Sequence, residues 1–122
     1  MKHLITLVLL SILFIHCKTE QQINTITTQQ LKELLSSHKI QLLDVRTAEE
    51  QKNGVIKNAI FADYLGEGFY QKASAQLNTN EPVYVYCRTG NRSGKASELL
   101  KEKGFEVFNV LGGYTKWKKE NE

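Results

Sequence analysis

A chain of 122 residues has room for one compact core and little else. Apolar residues make up 41% and charged residues 24%, with one proline, a globular balance that excludes a low-complexity or linker-dominated chain. The net charge of +3 is spread along the sequence and forms no dense basic patch of the kind that binds a phosphate backbone, so nucleic acid is not an expected partner.

Lys2 and His3 precede an apolar run from Leu4 to Ile15, interrupted only by Thr6 and Ser11. At twelve residues the run is shorter than the roughly 20 of a membrane-spanning helix and suits the core of a signal peptide. Residues 1–16 are therefore expected to be a signal peptide cleaved before Cys17, residues 17–25 a short polar tether and residues 26–120 the folded domain. Cys17, where the run meets the polar segment Lys18–Gln22, resembles the lipidated cysteine of bacterial lipoproteins. His16 and Phe14 depart from that family's usual small residue and leucine. The resemblance implies an exported protein of the periplasm or cell envelope, held to a membrane through Cys17. Such a mature chain keeps one histidine, His38, and cannot build a disulfide framework.

Along the remaining chain, Thr27 and Gln30 form a capping-box pattern ahead of Leu31, Leu34 and Leu35, which predicts a short helix. Ile40 to Val45 reads as a buried strand, Thr47 to Asn53 as a polar helix-compatible stretch ending at Gly54, and Ala59 to Ala62 as a second apolar run. Phe69, Tyr70, Ala73 and Leu77 recur at helical spacing. Pro82 then opens Val83–Tyr86, apolar on both faces as a central parallel strand should be. Ala96, Leu99 and Leu100 mark a helix that closes at Gly104 and Phe105, and Val107, Phe108 and Val110 a last strand. Gly112 and Gly113 lead into a final helix around Trp117, a core residue, with Lys116, Lys118 and Lys119 on its solvated side. The alternation predicts an α/β domain with a mainly parallel sheet of about five strands. Ligand sites in such sheets lie beyond the carboxyl ends of the strands, where Cys87 falls.

The segment Cys87-Arg88-Thr89-Gly90-Asn91-Arg92-Ser93 joins a buried strand to a helix N-terminus. Successive backbone N–H groups can curl around the sulfur there, and the helix dipole adds partial positive charge. A thiolate at Cys87 is expected to form below the free value of about 8.5, helped by Arg88 and Arg92 where their side chains lie near. Gly90 supplies the permissive backbone of a tight cradle.

Tyr86 to Ser93 resembles the active-site loop of single-domain rhodaneses. Leu43-Asp44-Val45-Arg46 followed by Glu49, Glu50, Gly54, Ile56 and Ala59 is similar to that family's upstream signature, and Gly112-Gly113 with Trp117 to its C-terminal one. Gln51, Val55, Lys57 and Asn58 stand where the family usually has an aromatic residue, His, Pro and Gly, positions that shape the loop after the second helix. The resemblance implies a rhodanese-like fold and a sulfurtransferase that moves a sulfane sulfur from a small anionic donor such as thiosulfate to a thiophilic acceptor. Cys87 would be the nucleophile, Arg88 and Arg92 the donor-binding groups and Thr89 to Ser93 the cradle, with no metal or cofactor. Asp44, Arg46 and Glu49 would form a structural ion-pair group near the site.

Three alternative functions compete with this one. Cysteine proteolysis lacks a base, since His38 precedes the first buried strand without a paired motif. Certain cell-cycle phosphatases, whose fold the rhodanese fold resembles, place five residues between cysteine and arginine. Here four separate Cys87 from Arg92, and Ser93 stands where that arginine would be. The rival from another class is a non-catalytic binding or sulfur-carrier module acting in a protein complex.

Overall fold

The computed structural model describes residues 22–122, so the expected signal peptide and Cys17 lie outside the described residues. In chain order the elements are β1 (Asn24–Ile26), α1 (Thr28–Ser37), β2 (Gln41–Asp44), α2 (Ala48–Gln51), β3 (Ile60–Phe61), α3 (Phe69–Ser74), β4 (Val83–Tyr86), α4 (Asn91–Glu102), β5 (Val107–Val110) and α5 (Gly113–Asn121). The five strands form one sheet in the order β1-β5-β4-β2-β3, and every pairing is parallel. This is the α/β architecture expected from the alternating pattern. No helix among the described residues is long and apolar enough to cross a membrane.

Side chains alternate across a strand, and that alternation sorts the apolar residues into two cores. Leu43, Val83, Val85 and Val107 pack on one face against Phe69 and Ala73 of α3 and Ala96 and Leu100 of α4. Leu42, Tyr86 and Val110 pack on the other against Leu31 of α1, with Tyr114 and Trp117 of α5 partly buried beside them. Trp117 thus packs against the second core while remaining partly exposed. Each fully buried leucine in these layers contributes about 1.5–3 kcal/mol. Cys87 continues the Val83–Val85 face and lies in the first core, which brings its sulfur under α4.

The helix boundaries follow from local chemistry. Thr27 Oγ1 accepts from the Gln30 N–H and the Gln30 side chain accepts from the Thr27 N–H, the reciprocal capping box expected there. At the other end of α4, Gly104 (φ +96) donates to the Lys101 carbonyl and Phe105 to the Leu100 carbonyl, a Schellman stop. Asn58 has φ +67, a left-handed conformation that glycine or asparagine adopts most readily, which accounts for asparagine at a position where the rhodanese pattern has glycine.

One element escaped the sequence reading. Asn24 and Thr25, assigned to the tether, belong to β1, which pairs with β5 through Asn24↔Phe108, Thr25↔Asn109 and Ile26↔Val110. The folded domain therefore begins ahead of the expected boundary at residue 26. Both residues are exposed and polar, and only Ile26 of this edge strand packs against the second core, so Asn24 and Thr25 carry no apolar signal.

Candidate active site

Cys87 leaves β4 and its side chain turns back under the N-terminus of α4, with 1% of the residue exposed. The Gly90 N–H donates to Sγ at 3.1 Å and the Ser93 hydroxyl at 3.3 Å. Gly90 is the residue that caps α4. It has φ +113 and no side chain to satisfy the helix end, so the sulfur occupies the place of a capping acceptor. Burial pushes the Cys87 thiol up, but the Ser93 hydroxyl and the amides of Ser93, Gly90 and Thr89 outweigh it, and the thiol titrates below its ordinary value. An anionic sulfur is thus favoured where it is nearly dry.

The loop is also held from behind. The Tyr114 N–H donates to the Cys87 carbonyl at 2.8 Å and the Thr115 N–H to the Arg88 carbonyl at 3.0 Å, so the first turn of α5 spends its unpaired donors on the cysteine loop. This contact explains Gly113. A Cβ there would stand 2.5 Å from the Cys87 carbonyl oxygen, and its φ of +56 disfavours any other residue. On the α4 side, Asn109 of β5 donates from Nδ2 to the Gly90 carbonyl at 3.2 Å.

The expected loop residues divide into two groups. Gly90, Ser93 and the Thr89 amide face the sulfur, whereas the side chains of Arg88, Thr89 and Asn91 are exposed. Arg92 corrects the expectation that both arginines aim at the donor. Its Nη1 and Nη2 donate to the two carboxylate oxygens of Glu50 at 2.6 and 2.8 Å, and no described hydrogen bond joins it to Sγ. The Glu50 carboxylate raises the Arg92 pKa further, with smaller contributions from the charges of Cys87 and Asp63, so this cation still lies within the field of the sulfur. Arg92 in turn holds the Glu50 carboxyl down to about 2. Arg88 borders a cleft of about 720 Å³ together with Arg46, Glu50, Tyr114, Lys118 and Lys119.

The structural ion pair is Asp44 with Arg46. Arg46 Nη2 and Nε meet the Asp44 carboxylate at 2.7 and 3.0 Å, and both residues are essentially inaccessible. The remaining valences are filled: the Tyr86 hydroxyl donates to Asp44 Oδ2 at 2.7 Å, Arg46 Nη2 donates to the Gly54 carbonyl at 2.9 Å, and the guanidinium lies 4.2 Å from the Tyr114 ring centroid. Burial lowers the Arg46 pKa and the Asp44 contacts more than restore it. Burial, reinforced by the Asp44 carboxylate, raises the Tyr86 hydroxyl well above its ordinary value.

Glu49 does not belong to this group. Its side chain is 85% exposed and pairs with Lys52, while Glu50, one residue on, reaches the cysteine loop. The reason is a second capping box: Thr47 Oγ1 accepts from the Glu50 N–H, and Glu50 Oε1 accepts from the Thr47 backbone and hydroxyl, which turns Glu50 back over the helix start and toward Arg92.

Comparison with known proteins agrees with this geometry. Residues 27–120 match the family model described as a rhodanese-like domain. The chain is 33% identical over 87 residues to the thiosulfate sulfurtransferase GlpE of Coxiella burnetii, covering 70% of this chain and 78% of that protein. It is 34% identical over 96 residues to the chloroplastic thiosulfate sulfurtransferase 16 of Arabidopsis thaliana, with the same coverage. A Bacillus subtilis protein named putative sulfur carrier protein YrkF is 32% identical over 83 residues, covering 67% of this chain. The chain spans 61% and 43% of the length of the two Bacillus subtilis relatives, YqhL and YrkF. Among solved structures, a rhodanese-like domain protein from Staphylococcus aureus superposes with a TM-score of 0.71 at 36% identity, over 78% of this chain and 91% of that one. With a family match running from the first helix to the last, and a cysteine cradle at the carboxyl end of a parallel sheet, the chain belongs to the rhodanese-like domain family.

Proposed function

We propose that this protein is a sulfurtransferase that carries a sulfane sulfur as a persulfide on Cys87. In the first step the Cys87 thiolate attacks the outer sulfur of thiosulfate. A sulfur–sulfur bond forms to Cys87, the bond within thiosulfate breaks, and sulfite leaves with its electron pair. A thiophilic acceptor then attacks the outer persulfide sulfur, takes it, and returns the Cys87 thiolate. The observation that carries this reading is the pair of neutral donors on Sγ at the start of α4, Gly90 N–H and Ser93 Oγ, which favours an anionic sulfur without a paired base. Ser93 standing at the arginine position of the phosphatase pattern favours sulfur over phosphoryl chemistry.

A second reading, a carrier that hands sulfur to a protein partner, draws support from the relative named as a putative sulfur carrier. Turnover of thiosulfate with cyanide separates the two, being measurable in the enzyme and absent in a carrier that needs its partner. For its location we propose export and anchoring through Cys17, on the strength of the apolar run Leu4–Ile15; Cys17→Ser should move the protein out of the membrane fraction, and a variant that stays there would refute the anchor.

Intact-protein mass spectrometry after thiosulfate treatment tests the main proposal. One added sulfur is expected on the full chain, lost on adding cyanide and absent from Cys87→Ser. A folded, reduced chain that gains no sulfur would refute it.

A further inference from the structure

Asn109 lies on β5 opposite Val85, so it sits on the strand beside the one that leads into Cys87. Only 9% of it is exposed. Its Nδ2 donates to the Gly90 carbonyl, but its Oδ1, buried, has no hydrogen-bond partner among the described residues. Turning the amide over would set its oxygen against the Gly90 carbonyl, so neither orientation satisfies both ends. An orphaned buried acceptor is costly, and an apolar residue of similar size would avoid it. What the amide supplies in return is the bond to Gly90.

Gly90 is the pivot of the cradle. Its N–H points at Sγ, its φ of +113 lies in a region where glycine moves freely, and its carbonyl is held by two donors. One, the Gly94 N–H at 3.1 Å, runs along the axis of α4 and travels with it. The other is Asn109, which ties the same carbonyl sideways to the sheet that carries the sulfur. The amide rests against the first turn of α4, where a Cβ on Gly94 would be 3.5 Å from Nδ2.

We infer that Asn109 is a positioning residue for the sulfur cradle, locking Gly90 so that its N–H stays directed at Cys87 Sγ. The purpose of the lock rests on the sulfur-transfer reading, but the lock itself acts on the resting thiolate and can be tested without turnover. In the full chain carrying Cys17→Ser, Cys87 is the sole thiol, and the pH dependence of its alkylation by iodoacetamide reports thiolate formation. Asn109→Ala should raise the alkylation midpoint by about one pH unit. Val107→Ala, which empties a buried position on the same strand, should lower Tm and leave the midpoint in place. Equal shifts in the two variants, or none in Asn109→Ala, would reduce Asn109 to a packing residue and overturn the inference. Should the alanine variant fail to fold, Asn109→Ser replaces it with the same two outcomes. Failure of thiosulfate to load the parent chain would refute sulfur transfer and leave this result standing.

Discussion

Two arginine–carboxylate pairs stand at the same end of the sheet and are built differently. Asp44 and Arg46 are sealed from water, and their spare hydrogen-bonding positions are taken by Tyr86 and Gly54. Glu50 and Arg92, with 27% and 21% of their side chains exposed, lie at the rim of the cysteine loop. The first pair joins β2, β4 and the segment around Gly54, and its value is that neither partner is left alone. The second joins a single-turn helix to the start of α4 and uses one of the two cations that the sequence offered to the donor, leaving Arg88 at the cleft. The charges of these two pairs are therefore committed to architecture, and the direct donors to the sulfur are a hydroxyl and a backbone amide.

Breaking the sealed pair should have the largest effect. Asp44→Ala leaves a buried guanidinium unpaired, and a loss of about 3–5 kcal/mol is expected, measured by urea unfolding. A loss below about 1 kcal/mol would mean that water reaches Arg46.

Breaking the rim pair should cost less, about 1 kcal/mol for Glu50→Gln. Its pH dependence sharpens the contrast. The folded-state pKa of Glu50, about 2, lies below the ordinary value of 4.5, so this contribution is complete above pH 4.5 and is lost as the pH falls toward 2. The stability difference between parent and Glu50→Gln should shrink across that window. Glu49→Gln, on the solvent side of the same helix, is the smallest change, with an expected effect within about 0.5 kcal/mol. Equal effects of the two substitutions in thermal unfolding would show that the capping geometry does not distinguish them.

The contrast between Glu49 and Glu50 also marks how far the sequence could be read. The continuous apolar run Val83–Tyr86 and the helical spacing of Ala96, Leu99 and Leu100 locate the strand and helix around Cys87, because burial acts through side chains that the sequence spells out. Thr47 and Glu50 form a capping box that is legible in the sequence, and it distinguishes Glu50, turned toward the loop, from the solvent-facing Glu49. Other parts had no local signal. β1 is three residues paired through its backbone, and the amides of Tyr114 and Thr115 reach the loop from the far end of the chain. Asn109 reads as an interruption in an apolar strand until the loop above it is in place. The Gly112–Gly113 pair is visible in the sequence, and the structure gives it a reason, the close approach of Gly113 to the backbone of Cys87 and Arg88.

The central claim is that neutral donors, more than arginine charge, hold the Cys87 sulfur as an anion. Its most direct test compares Ser93→Ala with Arg92→Gln, each in the Cys17→Ser full chain, by the pH dependence of Cys87 alkylation. Because the folded thiol titrates below its ordinary value, the parent midpoint should fall below that of a free cysteine thiol measured in the same way. Ser93→Ala should raise it by about one unit, and Arg92→Gln by no more than a few tenths. A larger rise in Arg92→Gln than in Ser93→Ala would contradict the account.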